Sequence, residues 1–151
     1  MPIYGTPGDD IIRDIWSGEN GLETIHGLPG NDLILGLLGP DLIYAGPGND
    51  TIRGGQGRDT ISGGPGDDDL QGGSQIDTLL IRADLGTFRI DLSQNGRQET
   101  GQGRDLIAGF EAVRAVGAVD FWLRGSDGVM ETLQGGSGND TLISGGDLDF
   151  L

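Results

Sequence analysis

Six aspartates recur every nine residues between Gly27 and Leu80 of this 151-residue chain, and they are its most evident chemical groups. The stretch reads GLPGNDLIL, GLLGPDLIY, AGPGNDTIR, GGQGRDTIS, GGPGDDDLQ and GGSQIDTLL, without a slip in register. Position 6 of these nonapeptides is Asp32, Asp41, Asp50, Asp59, Asp68 and Asp77. Position 8 is always Ile or Leu, and position 4 is Gly except at Gln75. A fixed period of this kind indicates a solenoid built from stacked repeats.

Each repeat supplies a minimal strand and a tight turn. In positions 7 to 9 the central aliphatic side chain points to one side and its neighbours to the other, so position 8 faces a core. The preceding glycines supply the positive φ that a tight turn needs. Two nonapeptides then complete one coil with two short parallel sheets, so each turn lies over the turn two repeats earlier. At a strand spacing of about 4.8 Å, Asp32 comes close to Asp50 and Asp41 to Asp59.

Carboxylates stacked at this spacing repel one another unless a cation neutralises them. Ca²⁺ takes about six to eight oxygen ligands from carboxylates and carbonyls, whereas Mg²⁺ demands a smaller octahedron and keeps its waters. The alternative is a metal-free solenoid in which Asp simply favours turns. Turn preference does not explain a carboxylate at position 6 of every in-phase repeat, including Glu23 and Glu131. The pattern therefore predicts several bound calcium ions.

The nonapeptides closely resemble the RTX, or haemolysin-type, calcium-binding repeats. The resemblance implies an all-β parallel β-roll, a two-sheet β-solenoid, with calcium ions between successive turns. It also implies that position 6 carboxylates and carbonyls of the Gly-rich loops hold each ion. The predicted carboxylate ligands are Asp10, Asp32, Asp41, Asp50, Asp59, Asp68, Asp77, Asp140, Asp149, Glu23 and Glu131. The carbonyl candidates are Gly30, Gly39, Gly46, Gly48, Gly55, Gly57, Gly64, Gly66 and Gly73.

The period also divides the chain. We predict calcium-binding repeats over 5–80 with an interruption at 14–17, a β-rich spacer over 81–125, and a second repeat tract over 126–151. Within the spacer, residues 88–92 alternate between apolar and polar, as in a half-buried strand. Residues 93–104 are polar and Gly-rich, which favours a loop. The spacer resembles those found between RTX tracts.

Composition excludes several classes of protein. The net charge is −15, so the chain repels nucleic acid and anionic membranes and attracts cations. There is no Cys, which excludes disulfides and thiolate metal sites. No run approaches the roughly 20 apolar residues of a membrane span. The start, MPIYGTPGDD, has no basic region followed by an apolar one, so we expect no cleaved signal peptide.

No residue grouping indicates catalysis, and we predict a binding module rather than an enzyme. The only histidine, His26, falls at the outward-facing position 9. Asp pairs that recur along a stack differ from the single carboxylate pair of a glycosidase. The family resemblance implies a secreted, extracellular protein exported by the type I route and folded by calcium outside the cell. The alternatives are a structural or adhesive fragment, and an accessory module of a larger secreted adhesin or enzyme. We expect a monomer; a larger parent protein or a surface partner stays open.

Overall fold

The computed structural model describes residues 2–13, 21–83, 87–94, 96–126 and 132–145. Every regular element within these ranges is a β-strand. The strands are β1 (Ile3–Tyr4), β2 (Ile11–Arg13), β3 (Thr24–His26), β4 (Leu33–Leu38), β5 (Leu42–Tyr44), β6 (Thr51–Gln56), β7 (Thr60–Ser62), β8 (Asp69–Ser74), β9 (Thr78–Arg82), β10 (Thr87–Asp91), β11 (Arg97–Glu99), β12 (Arg104–Ala108), β13 (Ala112–Val116), β14 (Asp120–Arg124), β15 (Thr132–Gln134) and β16 (Thr141–Ile143). The described part of the chain contains no helix suited to crossing a membrane.

The strands form three sheets. The seven-stranded sheet has the order β1-β3-β5-β7-β9-β13-β15, and the six-stranded sheet has the order β2-β4-β6-β8-β12-β11. A three-stranded sheet contains β10, β14 and β16. All pairings are parallel except that of β11 with β12. Because successive strands of the main tract alternate between the two larger sheets, the fold is the all-β parallel β-roll that the period predicts.

Position 8 of the repeats forms a continuous apolar core between the two larger sheets. Ile34 pairs with Ile52 in one sheet, and Ile43 pairs with Ile61 in the other. All four side chains have no exposed area. Burying a side chain of this size stabilises the fold by about 1.5–3 kcal/mol. The core continues past the main tract through Ile107, Val113, Leu123 and Leu133.

The two sheets of the main tract differ in strand length. Strands β5 and β7 have three residues, as positions 7 to 9 predict. Strands β4, β6 and β8 have six residues, because pairing resumes at position 2 of the next repeat. There Leu37 pairs with Gly55, and Gly55 with Gly73. The backbone at position 2 has a positive φ, which is 74° at Leu37 and 118° at Gly55.

Part of the spacer continues the coil. Strand β12 joins β8 in the six-stranded sheet, and β13 joins β9 in the seven-stranded sheet. The expected loop over 93–104 is wrong for residues 97–99 and 104, because β11 folds back on β12 as an antiparallel hairpin and its backbone groups pair there. The predicted strand over 88–92 is β10, shifted by one residue. The division of the chain at residues 80 and 125 stays a prediction.

Candidate metal centre

Position 6 residues stack into two columns along the edges of the roll, each directly before a strand of one of the two larger sheets, except that Asp105 is the second residue of β12. We call those of the six-stranded sheet the first column: Asp10, Asp32, Asp50, Asp68 and Asp105. We call those before the seven-stranded sheet the second column: Glu23, Asp41, Asp59, Asp77 and Glu111.

Hydrogen bonds between layers fix one oxygen of four carboxylates in the first column, those of Asp32, Asp50, Asp68 and Asp105. The main-chain N–H of Asp32 donates to Oδ1 of Asp50 at 2.7 Å, across eighteen residues. The N–H of Asp50 donates to Oδ1 of Asp68 at 2.8 Å, and that of Asp68 to Oδ1 of Asp105 at 2.9 Å. The N–H of Asp10 donates to Oδ1 of Asp32 at 2.9 Å. Each of these four carboxylates is therefore anchored by the backbone of a neighbouring layer, whereas the Asp10 carboxylate accepts from Thr6 of its own repeat.

The second column repeats this arrangement. The N–H of Asp41 donates to Oδ1 of Asp59, and the N–H of Asp59 to Oδ1 of Asp77, both at 2.8 Å. The N–H of Asp77 donates to Oε2 of Glu111 at 2.9 Å. The longer glutamate side chain therefore occupies the same place as the aspartates in the ladder.

The second oxygen of most of these carboxylates is buried without a hydrogen-bond partner. This holds, among the described residues, for Oδ2 of Asp32, Asp50, Asp59, Asp68 and Asp77 and for Oε2 of Glu23. The five aspartates have at most 2% of their surface exposed. A buried, unpaired charged oxygen is expensive, because it has lost its hydration and gained nothing in return. Nothing in the described ranges supplies the partner that these oxygens lack.

Backbone carbonyls lie beside these oxygens. A Cβ built on Gly27 would lie 2.5 Å from Oδ2 of Asp32 and would also meet the carbonyl oxygen of Ala45 in the next coil. A Cβ built on Gly36 would lie 2.6 Å from Oδ2 of Asp41 and 2.5 Å from the carbonyl oxygen of Gly54. Glycine at position 1 therefore leaves a space in which a carboxylate oxygen and a carbonyl oxygen converge. Such hard oxygen donors are the ligands that calcium prefers.

The glycines proposed as carbonyl ligands lie in the same turns. The carbonyl oxygen of Gly30 lies where a Cβ on Gly48 would be, and that of Gly48 lies where a Cβ on Gly66 would be. The carbonyl of Gly39 faces Gly57 in the same way on the other edge. At position 2, the carbonyls of Gly46 and Gly55 abut Gly64 and Gly73. All these carbonyls are therefore placed in the gap between one turn and the next.

Among the described residues, no group of three or more His, Cys, Asp or Glu side chains is positioned to hold a metal ion. A cation between turns must therefore take most of its ligands from backbone carbonyls. Calcium accepts such mixed carbonyl and carboxylate sets, and the donor chemistry of the turns fits it.

The columns also perturb acid–base equilibria. Burial raises the pKa of Asp50 to about 6, and the neighbouring Asp32 and Asp9 contribute to the increase. Burial raises the pKa of Asp68 and of Asp77 to about 7, again with contributions from nearby carboxylates. The inter-layer hydrogen bond lowers each of these pKa values in part. Without a cation, the columns therefore favour bound protons.

The other predicted ligands have different environments. Oδ1 of Asp140 accepts a hydrogen bond from the N–H of Phe121 at 3.0 Å, beside the three-stranded sheet. The position equivalent to Asp140 in the preceding layers is phenylalanine, so Asp140 belongs to neither column. Glu131, Asp149 and the interruption at 14–17 lie outside the described residues.

Sequence reasoning missed two members of the columns, Asp105 and Glu111. Residues 101–108 read GQGRDLIA, which nearly repeats the GQGRDTIS of residues 55–62. This sequence match is the signal that could have identified Asp105 as a position 6 residue. Its phase is shifted by one residue from the main tract, and the next position 6 residue, Glu111, follows after a shortened turn.

The single histidine, His26, packs against aromatic side chains. The His26 ring stacks between Tyr4 and Tyr44, with ring centroids 4.9 and 5.4 Å apart. Its neighbour Ile25 is fully buried, so the strand alternation places His26 on the outer face of its sheet.

The stacked coils and their two carboxylate columns define a calcium-binding β-solenoid. A family model described as the RTX calcium-binding nonapeptide repeat matches residues 17–52, 44–79 and 130–151, more than half of the chain. The chain belongs to this family, and its repeats bind several calcium ions. The family is a structural calcium-binding unit rather than a catalytic one, and it is typical of secreted proteins. No curated protein and no solved structure matches the chain.

Proposed function

We propose that this chain is a calcium-dependent folding module, in which Ca²⁺ held between stacked turns drives the roll to fold. The observation that carries the proposal is the row of buried, unpartnered Oδ2 atoms on Asp32, Asp50, Asp59, Asp68 and Asp77. Within the described residues, none of these carboxylates forms an ion pair with the chain's arginines. A cation that binds only the folded roll stabilises it by mass action.

The proposed ligands follow the columns. In the first column they are Asp32, Asp50 and Asp68, and in the second they are Asp41, Asp59 and Asp77. Carbonyls of the turn glycines complete each site. The remaining predicted ligands, Asp10, Glu23, Glu131, Asp140 and Asp149, are proposed in addition to this central set.

Without calcium, the folded roll is opposed by its own charge. The net charge is −15, and the buried carboxylates lie one strand spacing apart. Repulsion and lost hydration then act against the favourable burial of the position 8 core. Calcium removes both penalties and orders the Gly-rich turns, which have the most conformational freedom to lose.

We further propose that the module works outside the cell as a monomer. The chain would stay unfolded at low cytosolic calcium and fold in the calcium-rich exterior. Affinities of about 10⁻⁴–10⁻³ M suit such an extracellular module. The order of tract, spacer and tract over 5–80, 81–125 and 126–151 is part of this proposal. So is the alternative that the chain serves a larger secreted adhesin or enzyme.

Equilibrium dialysis with metal analysis tests calcium binding at the columns. The wild-type chain should bind several calcium ions and no comparable amount of magnesium. Asp59→Asn should bind fewer ions, because it removes a charge from the second column. Asp69→Asn is the matched control, because Asp69 is a half-exposed position 7 residue paired with Arg53 at 3.1 Å. An Asp59→Asn variant that retains every ion would contradict the proposed sites.

A further inference from the structure

Asp105 differs from the other buried aspartates of the first column. Its Oδ1 accepts the N–H of Asp68 at 2.9 Å, as the ladder requires. Its Oδ2 accepts a hydrogen bond from the hydroxyl of Thr100 at 2.5 Å, whereas Oδ2 of Asp32, Asp50 and Asp68 has no partner in the part of the chain that the structure describes. Asp105 and Thr100 are each only 3% exposed. The chain therefore satisfies both oxygens of this carboxylate by itself.

The difference arises at position 1 of the repeat. Thr100 occupies the position that is Gly27, Ala45 and Gly63 in the preceding layers of this column. A Cβ built on Gly63 would collide with Oδ2 of Asp68, so a side chain at position 1 reaches the carboxylate of its own repeat. Threonine adds a hydrogen-bond donor at this point, which glycine and alanine lack. Its side chain occupies the place at which, beside Gly27, the Asp32 carboxylate and the Ala45 carbonyl converge.

In the layer next to Asp105, the described residue at the position 6 place is Phe88 rather than a carboxylate. The ring of Phe88 lies against Gly101 of the Asp105 turn. Strand pairing aligns Phe88 with Phe121, and both precede their inward-facing aliphatics by two residues, as position 6 does. Their ring centroids are 5.9 Å apart. Phenylalanine has therefore replaced the carboxylate where a further layer would have continued the column.

The positively charged side chain of Arg97 lies at the Asp105 end of the first column. The Arg97 guanidinium donates through Nη1 to the carbonyl oxygen of Arg104 at 2.7 Å and to that of Asp68 at 3.3 Å. These carbonyls flank the inter-layer gap between Asp68 and Asp105. Arg97 therefore brings a fixed positive charge to carbonyl oxygens at the end of the column.

We propose that the Asp105 layer closes the first column without an ion, because Thr100 and Arg97 supply the hydrogen bond and positive charge that calcium supplies elsewhere. Asp105 is then a positioning residue that anchors Asp68. The opposite end has a related contact, since Thr6 donates its N–H and its hydroxyl to Oδ2 of Asp10 at 2.6 and 3.0 Å. The inference rests on the proposed function, because it assigns which of the stacked carboxylates bind calcium.

The number of calcium ions bound at saturation tests this assignment. Asp105→Asn should keep the wild-type number, because an amide can accept from Asp68 and donate to the Thr100 oxygen. Asp50→Asn is the matched control and should bind at least one ion fewer. If both variants lose the same number of ions, the Asp105 layer is loaded and the inference is wrong while the proposed function stands. If the wild-type chain binds no calcium, the proposed function itself fails, and the inference fails with it.

Two substitutions at Thr100 test its part independently of Asp105. Thr100→Gly restores the position 1 glycine and leaves Oδ2 of Asp105 unpaired, so the number of bound ions should rise by one. Thr100→Val also removes the donor but keeps the branched side chain, so it should gain no ion. An unchanged ion number in Thr100→Gly, or an equal gain in both variants, would overturn the role assigned to Thr100.

Discussion

The main-chain N–H of Asp50 donates a 2.8 Å hydrogen bond to Oδ1 of Asp68, eighteen residues later in the chain, while Oδ2 of Asp68 has no partner among the residues that the structure describes. One oxygen of the carboxylate is therefore committed to the fold, and the other is available to a cation. Because the same relationship recurs along both columns, the structure links the stacking of coils to the binding of ions. The predictions below test separate parts of this link.

Asp50→Ala should impair calcium-dependent folding more than Asp10→Ala. Asp50 is buried and has neighbours above and below, since its Oδ1 accepts from Asp32 and its N–H donates to Asp68. Asp10 is only partly buried, and Thr6 already donates to its carboxylate. Losing the buried Asp50 carboxylate should destabilise the folded roll by about 1–3 kcal/mol. The calcium concentration at the midpoint of folding should therefore rise at least about fivefold. Equal midpoints for the two variants would count against the stacked arrangement.

Leu37→Gly should stabilise the calcium-loaded roll by about 0.5–1 kcal/mol. Leu37 has φ 74°, a left-handed conformation that costs an L-residue about 1–2 kcal/mol but not glycine. Its neighbour Leu38 is the matched control: it is similarly exposed, and its φ is not positive. Leu38→Gly should destabilise the folded roll by about 0.5–1 kcal/mol, because glycine gives the unfolded chain more conformational freedom to lose on folding. Urea unfolding in saturating calcium measures both, and a loss of stability in Leu37→Gly would refute the strain argument.

Gly66→Ala should destabilise the roll by at least about 2 kcal/mol, because a Cβ there collides with the carbonyl of Gly48 in the neighbouring layer. The two nearest colliding atoms belong to the Gly48 backbone, so no side-chain movement can relieve the contact. Gly96→Ala is the control, since nothing lies within 4 Å of its built Cβ, and its effect should stay within about 0.5 kcal/mol. Thermal unfolding in calcium compares the two, and similar melting temperatures would show that layers are less closely packed than the structure indicates.

Calcium affinity should increase with pH. The pKa values of Asp50, Asp68 and Asp77 are raised by burial to about 6, 7 and 7 in the folded roll, above those of an unfolded chain. Between pH of about 4 and about 7 the calcium-free folded state binds more protons than the unfolded state, so its stability decreases as pH rises. Calcium binds these carboxyl groups only in their ionised form, so calcium binding must displace their protons. The calcium midpoint should therefore fall at least about tenfold between pH of about 5.5 and about 7.5.

Calorimetry in buffers of different ionisation enthalpy checks this prediction directly. Proton release should accompany calcium binding at pH of about 6.5 and should diminish at pH of about 8.5, where the carboxylates are already ionised. A midpoint independent of pH, without proton release, would mean that the buried aspartates do not ligate calcium.

The periodic part of the fold could be predicted from the sequence because its information is local. Position 6 and position 8 recur in phase from Asp32 to Leu79, and each repeat buries the same type of side chain. The end of the first column was hidden for physical reasons. A single-residue phase shift conceals the repeat that contains Asp105, and its position 1 residue, Thr100, departs from the usual small residue. The role of Phe88 at position 6 depends on strand pairing with Phe121, which no local pattern reveals.

The hairpin of Arg97–Glu99 with the following strand was also beyond sequence reasoning. Its residues are polar and glycine flanks the segment, so composition favours a loop. Its stability comes instead from antiparallel pairing and from Arg97, which donates to carbonyls of Asp68 and Arg104. Long-range contacts of this kind depend on the completed roll.

Far-UV circular dichroism during a calcium titration, with magnesium as the control, tests the central claim most directly. We expect a disordered spectrum in chelator and a cooperative gain of β signal near about 10⁻³ M calcium, with no such gain in magnesium. A chain that is fully folded in chelator, with a spectrum unchanged by calcium, would contradict calcium-driven folding and show that the apolar core alone suffices.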